Sequence, residues 1–416
     1  MFKNEDEKLI LSLPFGFRDI FPVEAQERKE IEDTIRAEFL SWGYGEVKTP
    51  IVEFTKNISA GVGKDWKDKL ISLFDIDGNL ISLRADMTIP IARLAGMRIK
   101  KDRLPARFYY FANSFRQSAI QKGQKRVLNQ AGLELIGSDM LAADIEVLTI
   151  LVNILKKLGI RDFKIALGHT RFIDGICKWF NLNLEETGFV RENMIAKNFV
   201  ALKEFLGKKD LHKAGVFINL LKPVKDLEFE TDNLSIVGER DARESINYIK
   251  QVYKNLDLLG FNDCFIVDLG TIRNFGYYSG LLFEIYCPKV TELLGSGGRY
   301  DGLIKKFGLD VPATGFALDM DLLHKSIEDF TMQSLLQKSR IILCGRTETV
   351  AELIKFSGIL REKGSIVELS FESPEKIAKN ENQEIDFIYE TDFKTGYVSV
   401  LNTRSGTRRI QKLTDF

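Results

Sequence analysis

The chain has 416 residues, a length that suits two or three domains and a large hydrophobic core. Its 44% hydrophobic and 28% charged residues are ordinary for a soluble globular protein. Lysine plus arginine and aspartate plus glutamate both number 59, so the net charge is zero. This balance argues against a protein built mainly to bind nucleic acid, which usually carries a basic surplus.

Cysteine and histidine usage predicts a cytoplasmic protein without a metal site. The four cysteines have no C-x-x-C spacing, and the three histidines are scattered along the chain. Residues 1–8 are charged and lack the apolar core of a signal peptide, and no apolar run is long enough to cross a membrane. We therefore expect reduced thiols, no metal and no membrane partner.

The first predicted elements are a helix, a strand and a hairpin. Pro22 opens a segment of helical period that Gly43 is placed to end. The apolar stripe of this helix consists of Ile31, Ile35, Phe39 and Trp42. A strand is predicted over 46–54, in which a proline indicates an edge or a bulge. Residues 70–83 have the pattern of a hairpin that turns at Asp77-Gly78-Asn79.

Two alternating strands follow, over 107–116 and 126–136. In the second strand the even positions place Arg126, Gln130 and Glu134 on one face, whereas the odd positions are apolar. Buried polar groups without partners cost about 1–3 kcal/mol each. The polar face is therefore either a ligand-binding surface or a solvated outer face.

The rest of the chain indicates two domains. A charged, helical stretch at 178–255 is interpreted as an insertion within a first domain over 1–330. From Arg340 a strand, helix, strand pattern predicts a small α/β domain over 338–416. The other predicted elements are helices over 144–158, 300–307 and 320–329, strands over 163–168, 265–268 and 281–286, and a linker over 330–338.

Several short segments carry residues that could bind a ligand. Leu83–Thr88 combines a charged pair with a hydroxyl, although a helix N-cap with an exposed ion pair explains it equally well. Arg116 ends an aromatic strand, where a guanidinium either binds a carboxylate or phosphate or lies at the surface. Tyr277 and Tyr278 offer hydroxyls between glycines, or pack in the core. The glycine run Gly295–Arg299 lacks the Walker spacing, so a close-packed turn is favoured over a phosphate site.

Taken together and in this order, the segments resemble the motifs of the histidyl-tRNA synthetases, over about residues 13–325. The matching stretches are Pro14–Asp19 with Gly43-Tyr44 and Thr49-Pro50, Leu83–Thr88, Phe115-Arg116, Gln130–Glu134, Tyr277–Gly280 and Gly298–Asp301. The resemblance implies an α+β fold of the class II aminoacyl-tRNA synthetases, with an antiparallel sheet flanked by helices and a homodimer formed through the first motif. It also implies that 338–416 resembles a shortened anticodon-binding domain.

The departures from the synthetase motifs fall where ATP and its metal would bind. The arginine that closes the last motif and holds the triphosphate is replaced by Leu322, which can neither donate a hydrogen bond nor neutralise a phosphate. The other replaced positions are Ser118, Gly276, Ala85 with Asp86, and the loop Gly123–Leu128. Because the loss of one preorganised donor typically costs about 10²–10³ in rate, we expect no useful adenylation.

Positions that match the histidine side of the synthetase pocket are retained. The predicted ligand-binding residues, in a histidine-like pocket, are Asp86, Arg116, Gln130, Glu134, Arg273, Tyr277 and Tyr278. Loss at the nucleotide end with retention at the amino-acid end indicates a binding or sensing module, with no catalytic residue and no cofactor.

This combination is similar to the regulatory subunits of ATP phosphoribosyltransferase. The runs Leu83–Thr88 and Leu167-Gly168-His169 resemble that family more than the ligases. The resemblance implies a non-catalytic chain that joins the short catalytic subunit in a hetero-octamer, at the first step of L-histidine biosynthesis. Such a chain is required for activity and helps to transmit inhibition by L-histidine.

Two alternatives are an active histidine–tRNA ligase with unusual motifs and another class II synthetase paralogue, including a tRNA-binding regulator. The second would use a basic cluster near the end of the chain, for which a solvated strand edge is the simpler interpretation, so tRNA is not an expected partner. The cluster consists of Arg404, Arg408, Arg409 and Lys412.

Overall fold

The computed structural model describes residues 12–62, 64–117, 125–224, 239–272, 276–327, 339–378 and 385–416 of the chain. The chain forms two compact units, Met1–Glu328 and Asp329–Phe416. Ser118, Arg273 and the linker predicted over 330–338 lie outside the described residues, as do the first two residues of the loop Gly123–Leu128 and the end of the helix predicted over 320–329.

The first unit contains two sheets. Its strands are β1 (Gly45–Glu46), β2 (Val52–Phe54), β3 (Ser72–Phe74), β4 (Leu80–Leu83), β5 (Ala106–Phe115), β6 (Val127–Ile136), β7 (Lys164–His169), β8 (Phe265–Val267), β9 (Leu281–Tyr286), β10 (Gly295–Arg299) and β11 (Ala313–Asp319). Among the described residues, eight strands form one sheet in the order β1-β5-β6-β11-β10-β9-β7-β8, and three form a small antiparallel sheet, β2-β4-β3. The large sheet is antiparallel from β5 to β7 and parallel at its two outer pairs.

Helices flank these sheets. The described helices of the first unit are α1 (Pro22–Ser41), α2 (Thr55–Val62), α3 (Thr88–Arg98), α4 (Leu141–Lys157), α5 (Thr170–Trp179), α6 (Leu184–Ile195), α7 (Phe199–Gly207), α8 (Leu211–Leu220), α9 (Arg240–Leu258) and α10 (Met320–Ser326). No helix in the described ranges is both long enough and apolar enough to cross a membrane.

The first helix and the hairpin are confirmed. Ile31, Ile35 and Phe39 of α1 are at most 1% exposed, so the predicted stripe packs in the core. Trp42 remains 37% exposed, because the helix ends at Ser41 and the tryptophan lies beyond it. In the hairpin, β3 and β4 pair across a turn in which Gly78 adopts a φ of 79°.

Two predicted elements are wrong. The strand predicted over 46–54 is two short strands in different sheets, β1 and β2. Pro50 lies between them and cannot donate a hydrogen bond to a strand ladder. The helix predicted over 300–307 is only a short 3₁₀ turn, Ile304–Phe307, which ends at Gly308 with a φ of 97°.

The glycine run at 295–299 is neither a turn nor a phosphate loop, but the strand β10 inside the large sheet. The glycines allow close packing on both sides of this strand. A methyl group added to Gly297 would lie 2.3 Å from the carbonyl oxygen of Gly315 and 2.4 Å from the ring of Phe283. The run is therefore explained by packing within the sheet.

The stretch at 178–255 is helical where it is described, in α6 to α9. Its link to the large sheet includes a short antiparallel bridge between Val224 and Val267. The two residues exchange backbone hydrogen bonds of 3.0 and 2.9 Å. The insertion is thus joined to the sheet beside β8.

The second unit has a small five-stranded sheet. Its elements are β12 (Arg340–Cys344), α11 (Val350–Glu362), β13 (Ile366–Ser370), α12 (Pro374–Ala378), β14 (Phe387–Asp392), β15 (Tyr397–Asn402) and β16 (Arg408–Lys412). The described strands have the order β13-β12-β14-β15-β16, and the predicted strand, helix, strand start is confirmed. The sequence analysis did not predict β14 and β15.

The basic cluster lies on and beside β16, a fully exposed edge strand. Arg404 forms an ion pair with Asp386 at 2.7 Å, and Arg408 forms one with Glu390 at 3.3 Å. These contacts agree with a solvated strand edge.

Candidate functional site

A cavity of about 1230 Å³ opens on the polar face of the large sheet. Its walls come from β5, β6, β9, β10 and β11, from the first residues of α3 and α10, and from the turn between α6 and α7. The cavity brings together all the described members of the predicted site, which are Asp86, Arg116, Gln130, Glu134, Tyr277 and Tyr278.

Glu134 is the most buried of these residues, with 2% exposure. Its carboxylate accepts hydrogen bonds from the Thr88 hydroxyl, at 2.9 Å, and from the Tyr300 hydroxyl. Burial raises the pKa of Glu134 to about 8 despite these donors. The carboxylate fits because Gly315 faces it: a methyl group there would lie 2.1 Å from Oε2.

Thr88 and Tyr300 also line the cavity, although neither belongs to the predicted set of ligand-binding residues. Both lie within segments that the sequence analysis singled out, Leu83–Thr88 and Gly298–Asp301. No spacing in the sequence reveals that their hydroxyls meet on one carboxylate, because the two segments come together only in the fold.

Asp86 is also buried, with 5% exposure, and it precedes α3. Its Oδ1 accepts a hydrogen bond from the Ile89 amide at 3.1 Å. Its Oδ2 has no partner of ordinary hydrogen-bonding geometry among the described residues. Burial raises the pKa of Asp86 to about 6, opposed by the Ile89 amide, the charge of Arg116 and the Tyr277 hydroxyl. The cavity wall thus contains a carboxylate oxygen that can accept a hydrogen bond from a ligand.

The exposed ion pair considered for this segment is wrong. Arg84 is only 7% exposed. Its guanidinium donates to the backbone carbonyls of Thr49 at 2.9 Å and Asn113 at 2.7 Å. Arg84 therefore fixes neighbouring segments of the backbone, while Asp86 lines the cavity.

Arg116 follows β5 and brings a positive charge to the cavity wall. Its Nε donates to the Ala85 carbonyl at 3.0 Å. Its guanidinium carbon lies 5.1 Å from the centre of the Trp66 ring, which is buried. These contacts hold the guanidinium beside Asp86, as the interpretation of a cleft-facing arginine required.

The two tyrosines form one wall of the cavity. The ring centres of Tyr277 and Tyr278 are 4.9 Å apart, and Tyr277 makes an edge contact with Tyr300 at 6.1 Å. Burial raises the pKa of Tyr277 well above its usual range. Its hydroxyl therefore keeps its proton at neutral pH.

The polar residues predicted for one face of β6 lie in two places, the cavity wall and the surroundings of Phe15. Gln130 and Glu134 line the cavity, whereas the guanidinium carbon of Arg126 lies 5.6 Å from the ring centre of Phe15. The opposite face is core, since Leu133 and Leu135 are at most 1% exposed. The period of two is confirmed, and two of the polar positions, Gln130 and Glu134, lie in the cavity wall.

The other end of the cavity contains the position at which the last synthetase motif has its triphosphate-binding arginine. We call it the nucleotide end, and the end with Asp86 and Glu134 the amino-acid end. Leu322 lies in the wall at the start of α10 and is 3% exposed. The Lys125 ammonium is 2.8 Å from Oδ2 of Asp321 and 3.7 Å from Oδ1 of Asp319. Arg28 also forms an ion pair with Asp321. At this end, a ligand would therefore meet the apolar Leu322 side chain and cations that are already paired with Asp321.

The same contacts determine the pKa values of Asp321 and Asp319. Burial opposes the charge of Asp321, but hydrogen bonds from Lys125 and Arg28 hold its pKa below the usual range. Burial raises the pKa of Asp319. Because the Asp321 carboxylate is charged, it attracts the nearby cations, and their charge is then less available to a triphosphate.

The described residues contain no group of three histidine, cysteine, aspartate or glutamate side chains arranged to hold a metal ion. All four cysteines are free thiols, and three of them are buried.

Sequence comparison places the chain among known proteins. A family model described as histidyl-tRNA synthetase matches residues 16–323. The ATP phosphoribosyltransferase regulatory subunit of Clostridium botulinum is 31% identical over 382 residues, which cover 90% of each chain. The protein of the same name from Moorella thermoacetica is 33% identical over 88% of this chain and 93% of the relative.

Solved structures show the same fold. An ATP phosphoribosyltransferase regulatory subunit/histidyl-tRNA synthetase from Bacillus halodurans C has a TM-score of 0.79 at 27% identity, covering 92% of this chain and 99% of that chain. A histidyl-tRNA synthetase from Nostoc sp. PCC 7120 has a TM-score of 0.77 at 21% identity over 97% of both chains, a likeness of fold alone.

These matches confirm the predicted class II synthetase-like fold and the predicted family. The family model covers more than half of the chain, and relatives above 30% identity cover most of it. The chain belongs to the family of ATP phosphoribosyltransferase regulatory subunits, which share the fold of the histidyl-tRNA synthetases.

Proposed function

We propose that the chain is a non-catalytic regulatory subunit of ATP phosphoribosyltransferase. In this proposal it is required for the activity of a short catalytic subunit and transmits feedback by L-histidine on the first step of L-histidine biosynthesis. The names of its relatives support this function. The chemistry of the cavity supports it independently.

The observation that carries the proposal is the character of the nucleotide end. A triphosphate is held in proteins by cations and preorganised donors. Here Leu322 lines the wall, and the Lys125 ammonium is paired with Asp321 at 2.8 Å. An ATP molecule placed there would lose the hydration of its phosphates without gaining comparable contacts. Synthetase activity is therefore not expected.

We propose L-histidine as the ligand of the amino-acid end. This ligand carries an ammonium group, a carboxylate and an imidazole. Asp86 and Glu134 supply acceptors for its N–H groups, and Arg116 supplies a guanidinium for its carboxylate. The full proposed set is Asp86, Arg116, Gln130, Glu134, Arg273, Tyr277 and Tyr278. It includes no catalytic residue, and no cofactor or metal is needed.

The proposed assembly is a homodimer, formed through the synthetase-like unit, that joins the short catalytic subunit in a hetero-octamer. An exposed apolar face of the three-stranded sheet β2-β4-β3 is evidence for a partner that binds this unit. Val52, Phe54 and Leu73 share that face and are 37%, 45% and 46% exposed. A cytoplasmic location without a membrane or tRNA partner completes the proposal.

Reconstitution tests this function directly. The purified chain is mixed with a purified short catalytic subunit, and formation of phosphoribosyl-ATP is measured with and without L-histidine. We expect the two proteins to co-elute, the rate to exceed that of the catalytic subunit alone, and histidine to reduce it. Absence of both co-elution and stimulation would contradict the proposal.

A further inference from the structure

The helical insertion contributes directly to the cavity. Lys197 lies between α6 and α7 and has a φ of 54°, a left-handed conformation that is uncommon for a lysine. Both Lys197 and Ile195 lie in the cavity wall. Neither residue was among the ligand-binding residues predicted from the sequence.

The Lys197 ammonium binds a loop that follows β8. It donates to the Gly270 carbonyl at 2.9 Å and lies 3.8 Å from Oδ2 of Asp268. Asp268 is itself built into this loop, since its Oδ1 accepts a hydrogen bond from the Gly270 amide at 2.8 Å. The lysine therefore binds the loop 268–272 through both a carbonyl and the carboxylate that shapes it.

Other parts of the insertion pack against the same loop. A methyl group added to Gly270 would lie 3.8 Å from side-chain atoms of Phe199 and Leu221. On the side of β7, a methyl group added to Gly168 would lie 2.9 Å from the side chain of Thr271. The loop is thus enclosed between the insertion and the large sheet.

We propose that Lys197 is a positioning residue that couples the helical insertion to the histidine-facing wall of the cavity. Ile272 ends the described part of the loop and lies in this wall, as do Tyr277 and Tyr278 a few residues further along the chain. By holding the loop 268–272 in place, Lys197 positions Ile272, the residue with which this wall starts. The part of the inference that concerns histidine rests on the proposed function.

Hydrogen exchange of the ligand-free chain tests the coupling without reference to any function. The amides of Gly270 and Thr271 donate to the side chain and carbonyl of Asp268, at 2.8 and 3.0 Å, so their exchange reports on the loop. In Lys197→Met we expect these amides to exchange faster, with an unchanged midpoint of unfolding. The matched control is Lys203→Met, at an exposed lysine of α7. Equal exchange in the two variants would overturn the proposal.

Titration of the full chain with L-histidine tests the consequence for the ligand. We expect Lys197→Met to bind histidine about threefold to tenfold more weakly than wild type. Lys203→Met should bind as wild type does, and Lys197→Arg should restore most of the affinity, because a guanidinium can reach both the carbonyl and the carboxylate. Equal affinity of the two methionine variants would contradict the coupling. If wild type itself bound no histidine, the proposed function would fail, and the exchange result would still decide the role of Lys197.

Discussion

The two ends of the cavity differ in how their charged groups are used. At the amino-acid end, Asp86 has a carboxylate oxygen with no ordinary partner among the described residues, and Glu134 is held by two hydroxyls. At the nucleotide end, Lys125 and Arg28 are ion-paired with Asp321, beside Leu322. The amino-acid end thus has a carboxylate oxygen that faces a proposed ligand site, whereas the charges of the nucleotide end are paired with each other.

If the proposed function holds, this difference explains how a synthetase-like fold can lose catalysis and keep recognition. Adenylation requires both ends, because the amino acid and ATP must react in one cavity. Recognition of an amino acid requires only one. The ion pairs at the nucleotide end can then stabilise the fold.

The largest expected effect is on stability, at the nucleotide end. Asp321→Asn removes the counter-charge of Arg28, whose side chain is 9% exposed. Breaking a buried ion pair typically costs about 3–5 kcal/mol, so we expect the free energy of unfolding in urea to fall by about 3 kcal/mol. Asp33→Asn is the matched control, because that side chain is 56% exposed and should contribute below about 0.5 kcal/mol. A loss no larger than that of the control would mean that the paired charges do not stabilise this end.

The next effect is on ligand affinity, at the amino-acid end. Glu134→Gln keeps the size of the side chain and replaces an acceptor by a donor opposite the Thr88 and Tyr300 hydroxyls. We expect histidine binding, measured by calorimetry at pH 9, above the pKa of Glu134, to weaken by about 30-fold, which corresponds to about 2 kcal/mol. Glu185→Gln, at an exposed position of α6, should bind histidine as wild type does. Unchanged affinity in Glu134→Gln would contradict the proposal that histidine binds at the amino-acid end.

The pH dependence of stability sharpens the same comparison. The pKa of Glu134 is raised from an ordinary 4.5 to about 8 by burial, so the folded state holds a proton that the unfolded state releases. This contribution to stability is complete below about pH 4.5 and is lost as the pH rises towards 8. Between pH 6 and 7, wild type should therefore lose stability relative to Glu134→Gln, by at most about 1.4 kcal/mol. Parallel pH profiles in urea unfolding would show that the carboxyl is not perturbed.

The smallest expected effect comes from restoring the missing arginine. In Leu322→Arg the new guanidinium would lie close to Asp319 and Asp321, which can bind it as they bind Lys125. We expect no histidine-dependent exchange between ATP and pyrophosphate, in the variant or in wild type. Exchange well above background in Leu322→Arg would mean that one residue had separated this chain from the ligases.

Local patterns in the sequence were sufficient for much of the fold. The stripe of α1 and the alternation of β6 were predicted because each depends on the period of one element. The strand β10 was missed because Gly295, Gly297 and Gly298 have no side chains to show a period of two. Its identity as a strand depends on the packing of β9 and β11 around it.

The site was predictable only in part, for a related reason. Asp86, Glu134 and the tyrosine pair could be named because they lie in recognisable motifs. Tyr300 meets Glu134 across 166 positions of sequence, and Lys197 reaches Gly270 across 73. Such contacts arise from the topology, and no spacing rule in a single chain reveals them.

The central claim is that the amino-acid end binds its ligand and that the nucleotide end adds nothing. The most direct test compares the dissociation constants of L-histidine and of a non-hydrolysable histidyl-adenylate analogue for the purified chain, by calorimetry. The account predicts that both bind at the same cavity with affinities within about threefold of each other, since Lys125 and Arg28 at the nucleotide end are already ion-paired with Asp321. Binding of the analogue about 100-fold tighter than histidine would show a working nucleotide site and contradict the account.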